Sequence, residues 1–169
     1  MRIFLALAAF MPALFAIPAS AQSFCDLVPA PAVSTALGVP NLTAKPNMTG
    51  GNGCDYRTKP GAPLAVRADS SDYADIYKTI FDQRLTQLSN GDVRVQGVGD
   101  AGYYSFQDLQ NVPSDLTQSY TKQSIVFRAK GKIVSFIIFL PGKGVPKTAV
   151  VALGQMTAAK PINTLKSPN

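Results

Sequence analysis

Residues 118–140, QSYTKQSIVFRAKGKIVSFIIFL, decide the fold. Gln118–Ala129 alternates through Ile125 and Phe127, Lys130-Gly131 makes a turn, and Lys132–Leu140 returns. A period of two marks a strand, so the segment predicts an antiparallel hairpin. In its second arm Val134, Phe136, Ile138 and Leu140 face one way, and Ile133, Ile137 and Phe139 face the other. A strand apolar on both faces is covered on both, which predicts a central place in the sheet.

Upstream the pattern stays β. Val93, Val95 and Val98 alternate up to Gly97-Val98-Gly99-Asp100, and Gly102–Phe106 carries Tyr103 and Tyr104. The glycines permit positive φ and close backbone approach, and Asp100 can bond its own backbone to fix the turn. Successive strand residues point to opposite faces, so at most one of the two tyrosines packs on the core. The other is a candidate contact residue. Asp55–Thr58 and Leu64–Ala68 read as two further strands around Lys59-Pro60-Gly61. Between the two sets, Ser70–Ser89 is the clearest helix, because Tyr73, Ile76, Tyr77, Ile80, Phe81, Leu85 and Leu88 recur at steps of three and four. Asp69, Asp72 and Asp75 are expected at its positive end.

A short helix opens at Cys25 and stops at Gly38, residues 39–53 read as a loop, and a last helix runs from Pro146 to Ala159. The order α-β-β-α-β-β-β-β-α predicts an α+β fold, an antiparallel sheet with helices packed on it, over residues 22–169. Residues 1–21 predict a secretory signal peptide: Arg2, the apolar stretch Ile3–Ile17, then Ala19-Ser20-Ala21. A periplasmic or secreted location follows. No later run is apolar and long enough to span a bilayer. In an oxidising compartment the even pair Cys25 and Cys54 predicts a disulfide.

Composition narrows the chemistry. The 169 residues hold 16 Lys+Arg against 10 Asp+Glu, every acid being Asp, and contain no His and no Trp. Without His there is no Ser-His-Asp triad and no imidazole ligand for a metal. Hydrophobic residues at 46% exclude a disordered chain. Ser119-Tyr120-Thr121-Lys122 matches the Ser-x-x-Lys of serine acyl-transferases, yet it lies in a β pattern where that class needs a helix start. A polar strand edge accounts for it. Gly142–Thr148 has the setting of a phosphate loop, but Pro146 stands where the consensus needs Gly. A weaker anion site at that helix start, with Lys143 and Lys147, survives. The Asp spacing of three fits helix capping better than calcium. No cofactor and no metal are expected.

Charge is unevenly placed. Gln22–Asp115 holds ten Asp and seven Lys or Arg, whereas Leu116–Asn169 holds eight Lys or Arg and no acid. Lys130, Lys132, Lys143 and Lys147 fall on the hairpin turn and the loop before the last helix, where they would share a basic rim. Outside the cytoplasm such a rim meets an anionic envelope component or an acidic protein partner rather than nucleic acid. A merely solvated surface explains the same residues.

Four short motifs resemble a group of uncharacterised bacterial exported proteins and lipoproteins. They are Cys25 after the export signal, Leu37-Gly38 ending a short helix, Gly53-Cys54-Asp55-Tyr56 opening a strand, and the turn Gly97-Val98-Gly99-Asp100-Ala101. The resemblance implies a disulfide-stapled α+β domain with no established enzyme activity, and this chain departs from it in lacking a lipid-attachment Cys. The expectation is a non-enzymatic exported domain that binds through Lys130, Lys132, Lys143, Lys147 and one of Tyr103 or Tyr104. The alternatives are a carrier or sensor of a small apolar ligand in a cleft between sheet and helix, and a His-free hydrolase.

Overall fold

The structure, a computed structural model, describes residues 23–47, 52–73, 75–89, 91–109 and 120–165. The signal segment, the loop at Val112-Pro113-Ser114, Ser119 and Lys166 lie outside them. Seven strands form one sheet: β1 (Thr43–Asn47), β2 (Asn52–Arg57), β3 (Val66–Asp72), β4 (Asp92–Val95), β5 (Ala101–Leu109), β6 (Tyr120–Ala129) and β7 (Lys132–Pro141). Their order is β1-β2-β3-β7-β6-β5-β4, with every neighbouring pair antiparallel. The hairpin β6–β7 is the one expected from residues 118–140, and β7 takes the middle position. The fold is α+β.

Three helices cover the first face: α1 (Phe24–Leu27), α2 (Ala30–Leu37) and α4 (Lys147–Ala158). Under them lie Tyr56, Val66, Ala68, Tyr104, Ile125, Phe127, Val134, Phe136 and Ile138, all buried. Phe24 meets Phe136 edge-on at 5.9 Å between ring centres. The buried Tyr56 hydroxyl donates to the Val28 carbonyl at 2.7 Å. Cys25 and Cys54 are joined, with Cα atoms 5.3 Å apart, so α1 is tied covalently to β2. Closing a loop of about 30 residues stabilises a fold by roughly 3–4 kcal/mol in the chain-entropy account.

Three expectations change. The opening helix is two, α1 and α2, because Val28 precedes Pro29 and a residue before proline is pushed out of the helical region; Val28 has φ −125° and ψ 79°. The loop expected over 39–53 contains β1, an edge strand whose residues are nearly all exposed and include Pro46, so it shows no alternation to read. The helix expected from Ser70 begins at Asp75, as α3 (Asp75–Thr86). Asp69 and Asp72 belong instead to β3, opposite Ser135 and Lys132 of β7, and Asp72 is ion-paired to Lys132 at 2.5 Å. Ladder hydrogen bonds and that ion pair outweigh the preference of acids for a helix start.

Connectivity sets the second face. Strand β3 is third in the sheet and β4 seventh, so the connection between them crosses β7, β6 and β5. Helix α3 lies in that crossover. Phe81, 3% exposed, packs against Tyr103 with ring centres 6.1 Å apart, and Tyr103 points away from the face that buries Tyr104. Among the described residues, then, three helices seal one face and α3 covers the other.

Candidate functional site

Of the apolar stripe read along α3, Phe81 is buried, but Tyr77 is 54% and Ile80 57% exposed. The helix stands on Phe81 with open space to either side of it. Toward β5 and β6 this space is a cleft of about 530 Å³, with Gln83, Arg84 and Gln87 on the helix side and Tyr103, Ser105, Gln107, Lys122 and Ser124 on the sheet. Toward β3 and β7 it is a cleft of about 420 Å³, floored by Arg67, Asp69, Val126, Ile133 and Ser135 and roofed by Tyr77 and Phe81. Ile80 and Tyr103 line both. Strand alternation places the floor: Tyr103 pairs with Val126, Ser105 with Ser124 and Gln107 with Lys122, so all six share a face.

The two halves differ electrically. In the first, Arg84 Nη2 lies 2.8 Å from Asp92, whose side chain is 4% exposed and also accepts from the Ser105 hydroxyl. Burial raises the Tyr103 phenol above its ordinary pKa, opposed by Arg84. In the second, Asp69 accepts from the Asn47 amide at 2.9 Å. Burial raises its carboxyl above the usual range, against the pull of Arg67. Arg67 itself is held by Asp55 through two hydrogen bonds, 3.0 and 3.3 Å, which keep the guanidinium charged.

The four lysines of the expected rim fall at opposite ends of β7. Lys130, on the hairpin turn, donates to the carbonyls of Ala159 and Lys160 at 3.2 and 2.7 Å, where α4 leaves its last carbonyls open. Lys132 is buried beside Asp72. Lys143 and Lys147 are exposed at the far end, and Lys147 Nζ stands 5.7 Å above the Tyr104 ring. The anion site considered at the start of α4 has lost a donor, since Val145 N–H donates to the buried Gln123 at 2.8 Å. The same Gln123 donates to the Tyr104 hydroxyl at 2.8 Å, which makes Tyr104 a core residue, while Tyr103 lies half-buried on the opposite face, in the cleft. At the Gly97–Asp100 turn, Asp100 N–H donates to the Arg128 carbonyl at 2.8 Å and its carboxylate pairs with the Arg128 guanidinium at 3.5 Å.

Of the two candidate tyrosines, Tyr103 lines the cleft; Gln83, Arg84, Gln87, Gln107 and Lys122, which line it as well, carry no signal in the sequence. Polar residues of a helix or strand look the same whether they face solvent or a cleft; only the crossover path of α3 sets them opposite one another. No family model and no curated protein matches the chain. A solved structure from Bacteroides thetaiotaomicron VPI-5482 is similar at 16% sequence identity and a TM-score of 0.47, over 66% of this chain and 40% of that one. The chain thus spans less than half the length of that protein.

Proposed function

We infer that this is an exported, non-enzymatic binding domain that takes a small molecule in the cleft between α3 and the sheet. One observation carries the reading. An amphipathic helix is kept on a sheet by burying its apolar stripe, yet Tyr77 and Ile80 of that stripe remain more than half exposed and both line the space beneath α3. Clefts of this size fall within the usual range for small ligands. Export is supported by the signal-like residues 1–21 and by the Cys25–Cys54 bridge. No helix among the described residues is long and apolar enough to cross a membrane.

Binding through the four lysines has less behind it, because Lys130 and Lys132 already serve the fold. A hydrolase has less still. Ser105 and Ser124 share the cleft with Lys122, but no hydrogen bond joins either serine to it among the described residues, and an activated nucleophile needs that contact. The test is a fragment mixture titrated into the full chain and followed by amide NMR. Shifts are expected at Tyr103, Ser105 and Val126 and at the α3 amides; shifts confined to Lys143 and Lys147, or none anywhere, would overturn the reading.

A further inference from the structure

The half of the cleft over β5 and β6 holds one positive charge that nothing among the described residues answers. Its described lining carries two cations, Arg84 and Lys122, together with amides and hydroxyls and no carboxylate. The cations are not equivalent. Arg84 is engaged by Asp92 at 2.8 Å and donates to the Ser89 hydroxyl at 2.5 Å, so it is fixed in place and its charge is compensated. Lys122 is half-buried on the floor, in register between Gln107 of β5 and Phe139 of β7. Its ammonium has no ion pair and no hydrogen bond among the described residues. Asp108, its near neighbour on β5, alternates to the opposite face.

Resting on the cleft reading above, we propose that this half of the cleft binds a sugar acid, a hydroxyl-rich ring bearing one carboxylate. The carboxylate pairs with Lys122. One negative charge matches the one cation left uncompensated among the described lining residues, whereas a phosphate monoester brings nearly two. Gln83 and Gln87 are four apart, and the Gln87 N–H donates to the Gln83 carbonyl at 2.9 Å, so both amides stand on one wall. They face Ser105, Gln107 and Ser124 on the floor. Each amide donates and accepts at once, as adjacent ring hydroxyls require. Tyr103 and Ile80 supply an apolar edge for the C–H face of the ring. A volume of about 530 Å³ suits one or two sugar units.

The test titrates the full chain with D-glucuronate, D-glucose and inorganic phosphate, reading amide shifts and affinity. Glucuronate is expected to shift Gln87, Gln107 and Lys122, glucose to bind about tenfold more weakly, and phosphate to shift none of them. Lys122→Met is expected to weaken glucuronate about tenfold, the loss of one charge-assisted contact, and to leave glucose unchanged. Gln87→Ala, at an exposed position just past the end of α3, is expected to weaken both sugars about threefold and stands in if Lys122→Met unfolds. Equal affinity for glucuronate and glucose, an unchanged glucuronate affinity in Lys122→Met, or displacement of glucuronate by phosphate would overturn the sugar-acid assignment. If glucuronate fails while another fragment still shifts the cleft amides, the assignment falls and the cleft reading stands. If no fragment shifts them, both fall.

Discussion

Asp69 shows how one side chain inherits its chemistry from its place in the sheet. Read as a helix-start acid it would be an ordinary exposed carboxylate; in β3 it is partly shut between the sheet and α3, and burial raises its pKa. A carboxyl whose pKa is raised by folding binds its proton more tightly in the folded state. Ionising it therefore costs stability: the cost is absent below the ordinary carboxylate range, grows as pH climbs to the raised value, and stays constant above it. Asp69→Asn keeps an oxygen to accept from Asn47 and removes the charge. Its stability relative to the parent is expected to rise with pH across that acid window and then level off, as urea unfolding at a series of pH values would show; a difference that stays flat contradicts the burial argument. Gly99 sits at φ +60°, and a Cβ there would run into the Arg128 carbonyl and Ala129. Gly99→Ala is expected to cost about 2–3 kcal/mol, measured as a lower denaturant midpoint. That glycine was readable from the sequence as a positive-φ turn position, but the carbonyl it makes room for was not.

At the level of elements, readability followed covering. The β6–β7 hairpin is legible because β7 is apolar in sequence on both faces and β6 alternates without a break, from Thr121 to Ala129; in the fold Val134, Phe136 and Ile138 on one face of β7 are buried, and Ser135, Ile137 and Phe139 on the other are half-buried. Strand β1 was hidden because an edge strand with little to bury leaves no pattern. Helix α3 is legible as a helix, but its stripe does not tell which of its residues are buried. Its stripe is complete in sequence, but the crossover over three strands lets Phe81 alone, among its described side chains, reach a buried position. An element with one fully buried side chain and otherwise surface polar ties opens locally before the rest of the fold does. Phe81→Ala removes a buried aromatic, a change worth about 3 kcal/mol or more in a packed site. The expected outcome is faster amide exchange through Tyr77–Thr86 with protection in β6 and β7 unchanged. Exchange that accelerates equally in the sheet would mean that α3 is part of the core rather than a cover over a cleft. Removing the Cys25–Cys54 bridge is the opposite case: it ties α1 to β2 on the sealed face, so reduction should lower global stability by roughly 3–4 kcal/mol and leave α3 exchange no faster relative to the sheet.

The whole molecule decides what the basic C-terminal part of the chain can do. In sequence Lys130, Lys132, Lys143 and Lys147 look like one cluster. In the fold β7 separates the first pair from the second, and ten residues of strand extend for about 30 Å. That is several Debye lengths at physiological salt, where the field of an exposed charge has faded within about 8 Å. The two pairs are therefore two independent sites of charge, and they do different work. Lys130 holds the open carbonyls after α4 and Lys132 answers Asp72, so replacing both by Ala should cost about 1–2 kcal/mol. Replacing Lys143 and Lys147 should change stability by about 0.5 kcal/mol or less, the range for exposed positions. With all four replaced, the stability loss should equal the sum of the two pairs to within about 0.5 kcal/mol, as for distant sites that share no partner. Urea unfolding of the three variants measures it, and cation-exchange retention of the same variants should fall in two additive steps. A coupling of about 1 kcal/mol or more, or retention that survives either pair alone and collapses only with both, would show the lysines acting as one surface. In that event an extended polyanion laid along β7, rather than a small molecule beneath α3, would be the ligand the charge distribution favours.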